Sequence, residues 1–154
     1  MSKVSVRVQA EDFDLGAELA ALRAGRTDIG ALVSFTGLVR DVTAGAGAIS
    51  ALELEHYPAM TLRALGAIEA EAAARWPLRA SLIIHRHGLL HPGDQIMMVA
   101  TASESRAAAF AAAEFLMDYL KSRAPFWKKE TRPDGAHWVA ARDEDEAALA
   151  AWDR

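Results

Sequence analysis

Three lysines bracket an aromatic stop in the run Lys121–Glu130 (KSRAPFWKKE). A lysine amine held beside apolar or like-charged neighbours takes a depressed pKa and can act on carbonyl or anionic groups, which a freely solvated one rarely does. Pro125 cannot continue a helix and drives Ala124 toward an extended conformation, so the chain must turn between Lys121 and Lys128. In the extended stretch that follows, Phe126 and Lys128 share one face while Trp127 and Lys129 share the other. Either Lys128 or Lys129 is therefore carried on the buried aromatic side, close to the helix end that bears Lys121. The competing reading is three solvated surface charges, the ordinary state of a lysine.

Two arginines add candidate anion contacts. Arg40 ends an apolar run just before a glycine-rich loop, a position that suits an anion ligand or an ordinary strand-end charge. Arg106 falls in the first turn of a long helix, where a cation opposes the dipole; it either helps the free N–H groups bind a phosphate or pairs with Glu104 or another acid. His85 and His87 are two apart on a strand and His91 follows, yet no acid or thiol is placed to complete a metal shell, so no metal is expected. His56 reads as structural. The absence of cysteine among 154 residues removes a thiolate nucleophile, a thiolate zinc site and a persulfide on this chain. No Gly-rich phosphate loop or nucleophile elbow occurs.

These residues need a scaffold, and the length and 52% hydrophobic content suit a single domain over 1–154. The net charge of -4 supplies no global basic field for nucleic acid or an acidic membrane. With neither a signal-peptide core nor an apolar run of 18 residues, the cytoplasm is the expected compartment. Val4, Val6 and Val8 mark a strand, and Asp14–Arg23 a helix capped by Asp14. Gly30–Arg40 reads as a central strand with a bulge at Gly37. Asp41–Gly47 is a loop, Ile49–Tyr57 an alternating strand and Met60–Trp76 a helix stopped by Pro77. Ser81–His87 and Gln95–Ser103 form a hairpin across His91-Pro92-Gly93-Asp94. Ser105–Arg123 is the longest helix, with Phe110, Ala113, Leu116, Met117 and Leu120 predicted on its buried arc. A second hairpin turns at Arg132-Pro133-Asp134-Gly135, and Asp143–Trp152 closes as a helix. The class is α+β, with β-hairpins and three or four helices.

Four runs carry a family resemblance: Ser34–Arg40 (SFTGLVR), Leu54–Met60 (LEHYPAM), Ile84–Gly88 (IHRHG) with Pro92-Gly93-Asp94, and Phe115–Glu130 (FLMDYLKSRAPFWKKE). In this order they resemble the catalytic (large) subunit of molybdopterin synthase over about residues 30 to 142, the last run most specifically. The resemblance implies an α/β hammerhead-like mixed sheet and a sulfurtransferase of molybdenum cofactor biosynthesis. Such subunits take sulfur from the thiocarboxylated C-terminus of a small ubiquitin-like carrier. They convert cyclic pyranopterin monophosphate (precursor Z) into the molybdopterin dithiolene, as a homodimer within a heterotetramer and without a resident cofactor. A partner that delivers the sulfur also accounts for the lack of cysteine.

Residue by residue, Lys121 and Lys128 match the family's catalytic lysines. Leu38-Val39-Arg40, Ser105-Arg106 and Lys128-Lys129-Glu130 match its substrate-binding stretches, with Arg40 and Arg106 on the phosphate. In the family the pocket is completed across the dimer, so Arg106 is expected to serve the neighbouring site; Arg142 is a further anion candidate. Two departures stand out: Ser105 replaces a frequent histidine and Leu38 a frequent lysine. Two rival readings are a non-catalytic module that docks a Gly-Gly tail and a single-strand nucleic-acid binder stacking bases on Phe126 and Trp127. The charge balance argues against the latter.

Overall fold

The computed structural model describes residues 3–43, 47–123, 125–139 and 143–153. In chain order the elements are β1 (Lys3–Gln9), α1 (Leu15–Arg23), β2 (Ala31–Leu38), β3 (Val42–Thr43), β4 (Gly47–Ala48), β5 (Ala51–His56) and α2 (Pro58–Arg75). Then come β6 (Leu78–Arg86), β7 (Gly88–Leu90), β8 (Gln95–Ser103), α3 (Arg106–Ser122), β9 (Phe126–Arg132), β10 (Gly135–Val139), α4 (Asp143–Ala150) and a 3-10 turn (Ala151–Asp153). Among the described residues no helix is long and apolar enough to cross a membrane.

β6 and β8 are buried along almost their whole length, the pattern of strands covered on both faces. They sit in the middle of a first sheet of order β1-β6-β8-β2, in which only the β1–β6 pair is parallel. On one face Leu65, Ile68 and Ala72 of α2 meet Ala112, Phe115 and Leu116 of α3 over Ile83, Met97 and Val99. On the other face Phe13 and Leu22 cover Leu82, Ile84, Met98 and Ala100. Asp14 caps α1 as expected, accepting from the Ala17 N–H at 3.0 Å. Glu69 of α2 is fully buried against this sheet and accepts from Ser81 Oγ at 2.7 Å.

The second sheet, of order β10-β9-β5-β7, is antiparallel throughout. Its inward side chains include Leu52, Leu54 and Leu90, which pack with Val39. Chain connections from the first sheet to the second leave from one end: after Leu38, after Arg86 and after α3. At that same end Leu38 pairs with Gln95 and the His87 N–H donates to the Gln9 carbonyl.

Four expectations change. Asp41–Gly47, expected as a loop, contributes Val42–Thr43 to a two-stranded ladder with Gly47–Ala48. β2 is an edge strand, not a central one; its apolar run is covered by α3 instead of a second strand neighbour, while the bulge at Gly37 is present. The hairpin between β6 and β8 is interrupted by β7, which leaves to pair with β5. Phe110 is 61% exposed, because α3 turns its alanines (108, 109, 112 and 113) to the sheet. Small side chains let the helix approach closely enough for Thr101 Oγ1 to donate to the Ala109 carbonyl at 2.6 Å.

Candidate functional site

α3 runs back along β8, so its last turn ends where the first sheet hands over to the second. That turn is braced from outside. The Trp152 indole donates to Asp118 at 2.6 Å, and Arg123 Nη1 lies 2.9 Å from both carboxylate oxygens of Glu146. Lys121 projects from this braced turn into solvent. Leu120 and Phe126, on either side of the Pro125 turn, pack on the same core cluster.

Phe126 is pinned by a histidine. Its ring stacks on His85 with centroids 3.7 Å apart and 16° between planes, and lies 5.5 Å from the His56 ring. His85 Nδ1 sits 2.8 Å from the Arg86 carbonyl, which can only accept, so the proton is on Nδ1. Burial pushes the His85 pKa down to about 3, and the charge of Lys128 adds to the effect. Lys128 therefore lies on the inner face with Phe126, which decides between the two lysines. The strand register agrees: Lys128 pairs with the buried Leu54 and Phe126 with His56. The sequence reading missed this packing of His85 and His56 around Phe126; the shared face of Phe126 and Lys128 was the available signal.

Lys129 points the other way, 3.9 Å from Glu53 and 5.2 Å from the centre of the Trp138 ring. Glu130 returns to the inner face, buried, and accepts from Arg132 Nε at 3.0 Å and Nη2 at 2.8 Å. Val39 is buried and its backbone is engaged in both directions, donating to Asp94 and accepting from Gly93. Arg40, by contrast, is exposed and lines an open cleft of about 560 Å³ with Asp41, Val42, Pro92 and Gly93. Leu38 is 55% exposed beside it. The stretch expected to bind substrate thus divides: Lys128 and Glu130 face inward, Lys129 outward, and Val39 supplies core packing.

Arg40, Lys121 and Lys128 are brought to one end of the first sheet. Arg106 is not. It opens α3 next to Ser103, which pairs with Ala31 at the opposite end of β2. Ser105 precedes it as N-cap without a side-chain hydrogen bond. Glu104, the alternative partner for Arg106, pairs with Arg79 at 3.4 Å. Among the described residues Arg40, Arg106 and Lys121 have no carboxylate partner, so each guanidinium or ammonium is available to an external anion. Arg142 lies outside the described residues. Among the described residues no three His, Cys, Asp or Glu side chains gather as a metal site.

The family model described as MoaE protein matches residues 8–123. The molybdopterin synthase catalytic subunit of Cereibacter sphaeroides is 61% identical, aligned over 96% of this chain and 99% of its own. The structure of the molybdopterin biosynthesis MoaE protein from Burkholderia ambifaria superposes with a TM-score of 0.82 at 55% identity, covering 100% of this chain and 99% of that one. The crystal structure of molybdopterin synthase from Staphylococcus aureus gives 0.79 at 31% identity, covering 87% and 96%. A fold, a cationic end and a near-full-length likeness agree, and the chain belongs to the MoaE protein family.

Proposed function

We propose that this chain is the catalytic subunit of a molybdopterin synthase, a cytoplasmic sulfurtransferase of molybdenum cofactor biosynthesis. The observation that carries this is the 61% identity with a molybdopterin synthase catalytic subunit across 96% of the chain. Sulfur arrives as the thiocarboxylate at the C-terminus of a small ubiquitin-like subunit. It is transferred to cyclic pyranopterin monophosphate to build the dithiolene.

Lys121, exposed on a braced helix end, meets the incoming tail and stabilises the charge that moves as sulfur leaves. An ammonium already in position does this without reorganising at the moment of reaction. Lys128, on the inner face beside a neutral imidazole, holds and activates the pterin. Arg40 binds the substrate phosphate, the anion for which a planar guanidinium is best suited. Because Arg106 opens the opposite end of β2, it serves the site of a second copy. The working assembly is a homodimer carrying one small subunit at each end.

The test is reconstitution with thiocarboxylated small subunit and precursor, read by the mass of the pterin. Wild type is expected to add two sulfurs, and Lys121→Ala and Lys128→Ala to add none at equal protein. Full activity in either variant removes that lysine from the mechanism. Tail binding without sulfur gain in the wild type would mark a docking module instead.

A further inference from the structure

One face of the second sheet is left uncovered by the described residues. Outward from β5, β9, β10 and the loop after β5 stand Glu55, Trp127, Trp138 and Tyr57, all exposed; Tyr57 is 63% and Trp138 59% accessible. Trp127 meets Tyr57 edge-on, with ring centroids 5.4 Å apart. Register sets the rest: Glu55 pairs with Trp127, and Trp138 with Lys129. Trp127 and Trp138 are thus diagonal neighbours on one face, ~7–8 Å apart. Together with His56 these side chains line an open cleft of about 300 Å³. That is the small end of ligand clefts, the size for one side chain.

Three features select a cation. The indole faces carry negative electrostatic potential, and this protein already uses one of them, since Lys129 Nζ sits over Trp138. Lys129 is itself answered by Glu53, whereas Glu55 has no ion-pair partner among the described residues. His56 adds no competing charge, because burial and the neighbouring His87 both lower its pKa. Its Nδ1 is engaged with Thr61 Oγ1 at 3.0 Å.

We propose that this cleft receives an arginine side chain from a protein partner, its guanidinium stacked between Trp127 and Trp138 and paired with Glu55. Arginine fits better than lysine because a planar guanidinium stacks on indole and still presents in-plane donors to a carboxylate. A protein fits better than a free metabolite because the cleft opens on a sheet face that also carries exposed Leu89, paired with Glu53. Tryptophan, tyrosine and arginine are also the residues that dominate interface energetics. The site lies on the opposite face of β9 from Lys128, so it adds a contact to the proposed reaction without entering the substrate pocket.

The four tryptophans provide the experiment. Trp76 and Trp152, partly buried, pack against Phe115 and serve as references for Trp127 and Trp138. The full chain, labelled with nitrogen-15, is titrated with N-acetyl-arginine methylamide while the four indole N–H signals are followed. Saturable shifts confined to Trp127 and Trp138 are expected. The uncharged isostere N-acetyl-citrulline methylamide should bind about tenfold more weakly, and Glu55→Gln should lower arginine affinity by about tenfold. A peptide with arginine between leucine and phenylalanine should bind more tightly than the single amino acid. The proposal is overturned if citrulline performs as well as arginine, if all four indoles move together, or if none moves. A lysine analogue binding more tightly than arginine overturns the assignment of occupant, and a peptide no tighter than the amino acid overturns the protein partner.

Discussion

Mixing two weakened variants should restore activity. β2 contributes eight residues between Ala31 and Leu38, a span of roughly 25 Å at the usual rise of an antiparallel strand. Arg40 lies beyond one end of it and Arg106 beside the other, too far apart for two side chains of one molecule to grip one phosphate. In a twofold dimer each site would draw Arg40 from one copy and Arg106 from the other. Either Arg40→Ala or Arg106→Ala then damages both sites. The loss of a charge-assisted contact, about 1.5–3 kcal/mol, lowers kcat/KM by roughly ten- to a hundredfold. If equal amounts of the two variants are refolded together, half of the dimers are mixed. Each mixed dimer has one site with both substitutions and one with neither. Activity at subsaturating precursor should therefore rise to about one quarter of wild type, well above either parent. A mixture no more active than the mean of its parents would refute the shared site.

Two further outcomes follow from side chains described above. Glu69 is buried with Ser81 as a partner, and burial raises its pKa from 4.5 to about 7. The contribution of Glu69 to stability is therefore greatest below pH 4.5, where it is protonated in both states. Stability falls as pH rises toward 7, by about 3 kcal/mol in total. Glu69→Gln should flatten that dependence and raise stability at pH 8 in urea titrations; an unchanged pH profile would remove Glu69 as its source. Leu38→Lys, at an exposed position beside Arg40, should restore a cation without cost to folding and lower the KM for precursor by about tenfold. An unchanged KM with wild-type stability would place position 38 outside the site.

The parts legible from sequence were those set by local chemistry. Asp14 caps its helix, Pro125 stops α3, and Arg132–Gly135 turns the hairpin between β9 and β10, with Gly135 at a φ of 122°. The phase of α3 was not legible. Its apolar residues run most of the way around the helix, so periodicity favoured the arc with large side chains. Close packing on a sheet favoured the alanines instead, and Phe110 was left outside. The place of β2 was hidden for a related reason: an apolar run does not say whether strands flank it on both sides, and in β2 no residue is fully buried and Phe35 is 43% exposed. The corner at Pro125, where α3 ends and β9 begins, could be found from residue types alone. The face taken by Lys128 depended on His85, more than forty positions away, and the separation of Arg40 from Arg106 depended on sheet order. Non-local facts of that kind leave no trace in spacing.

The handover between sheets also bears on motion. Each strand excursion into the second sheet departs from the edge where Arg40, Lys121 and Lys128 reside, so these three cations occupy the seam between a layer sandwiched by helices and a layer open on one side. Amides of the open layer should exchange with solvent sooner than those of β6 and β8. When that layer breathes, Lys128 leaves with it while Lys121 stays behind, and the pair separates before the fold is lost.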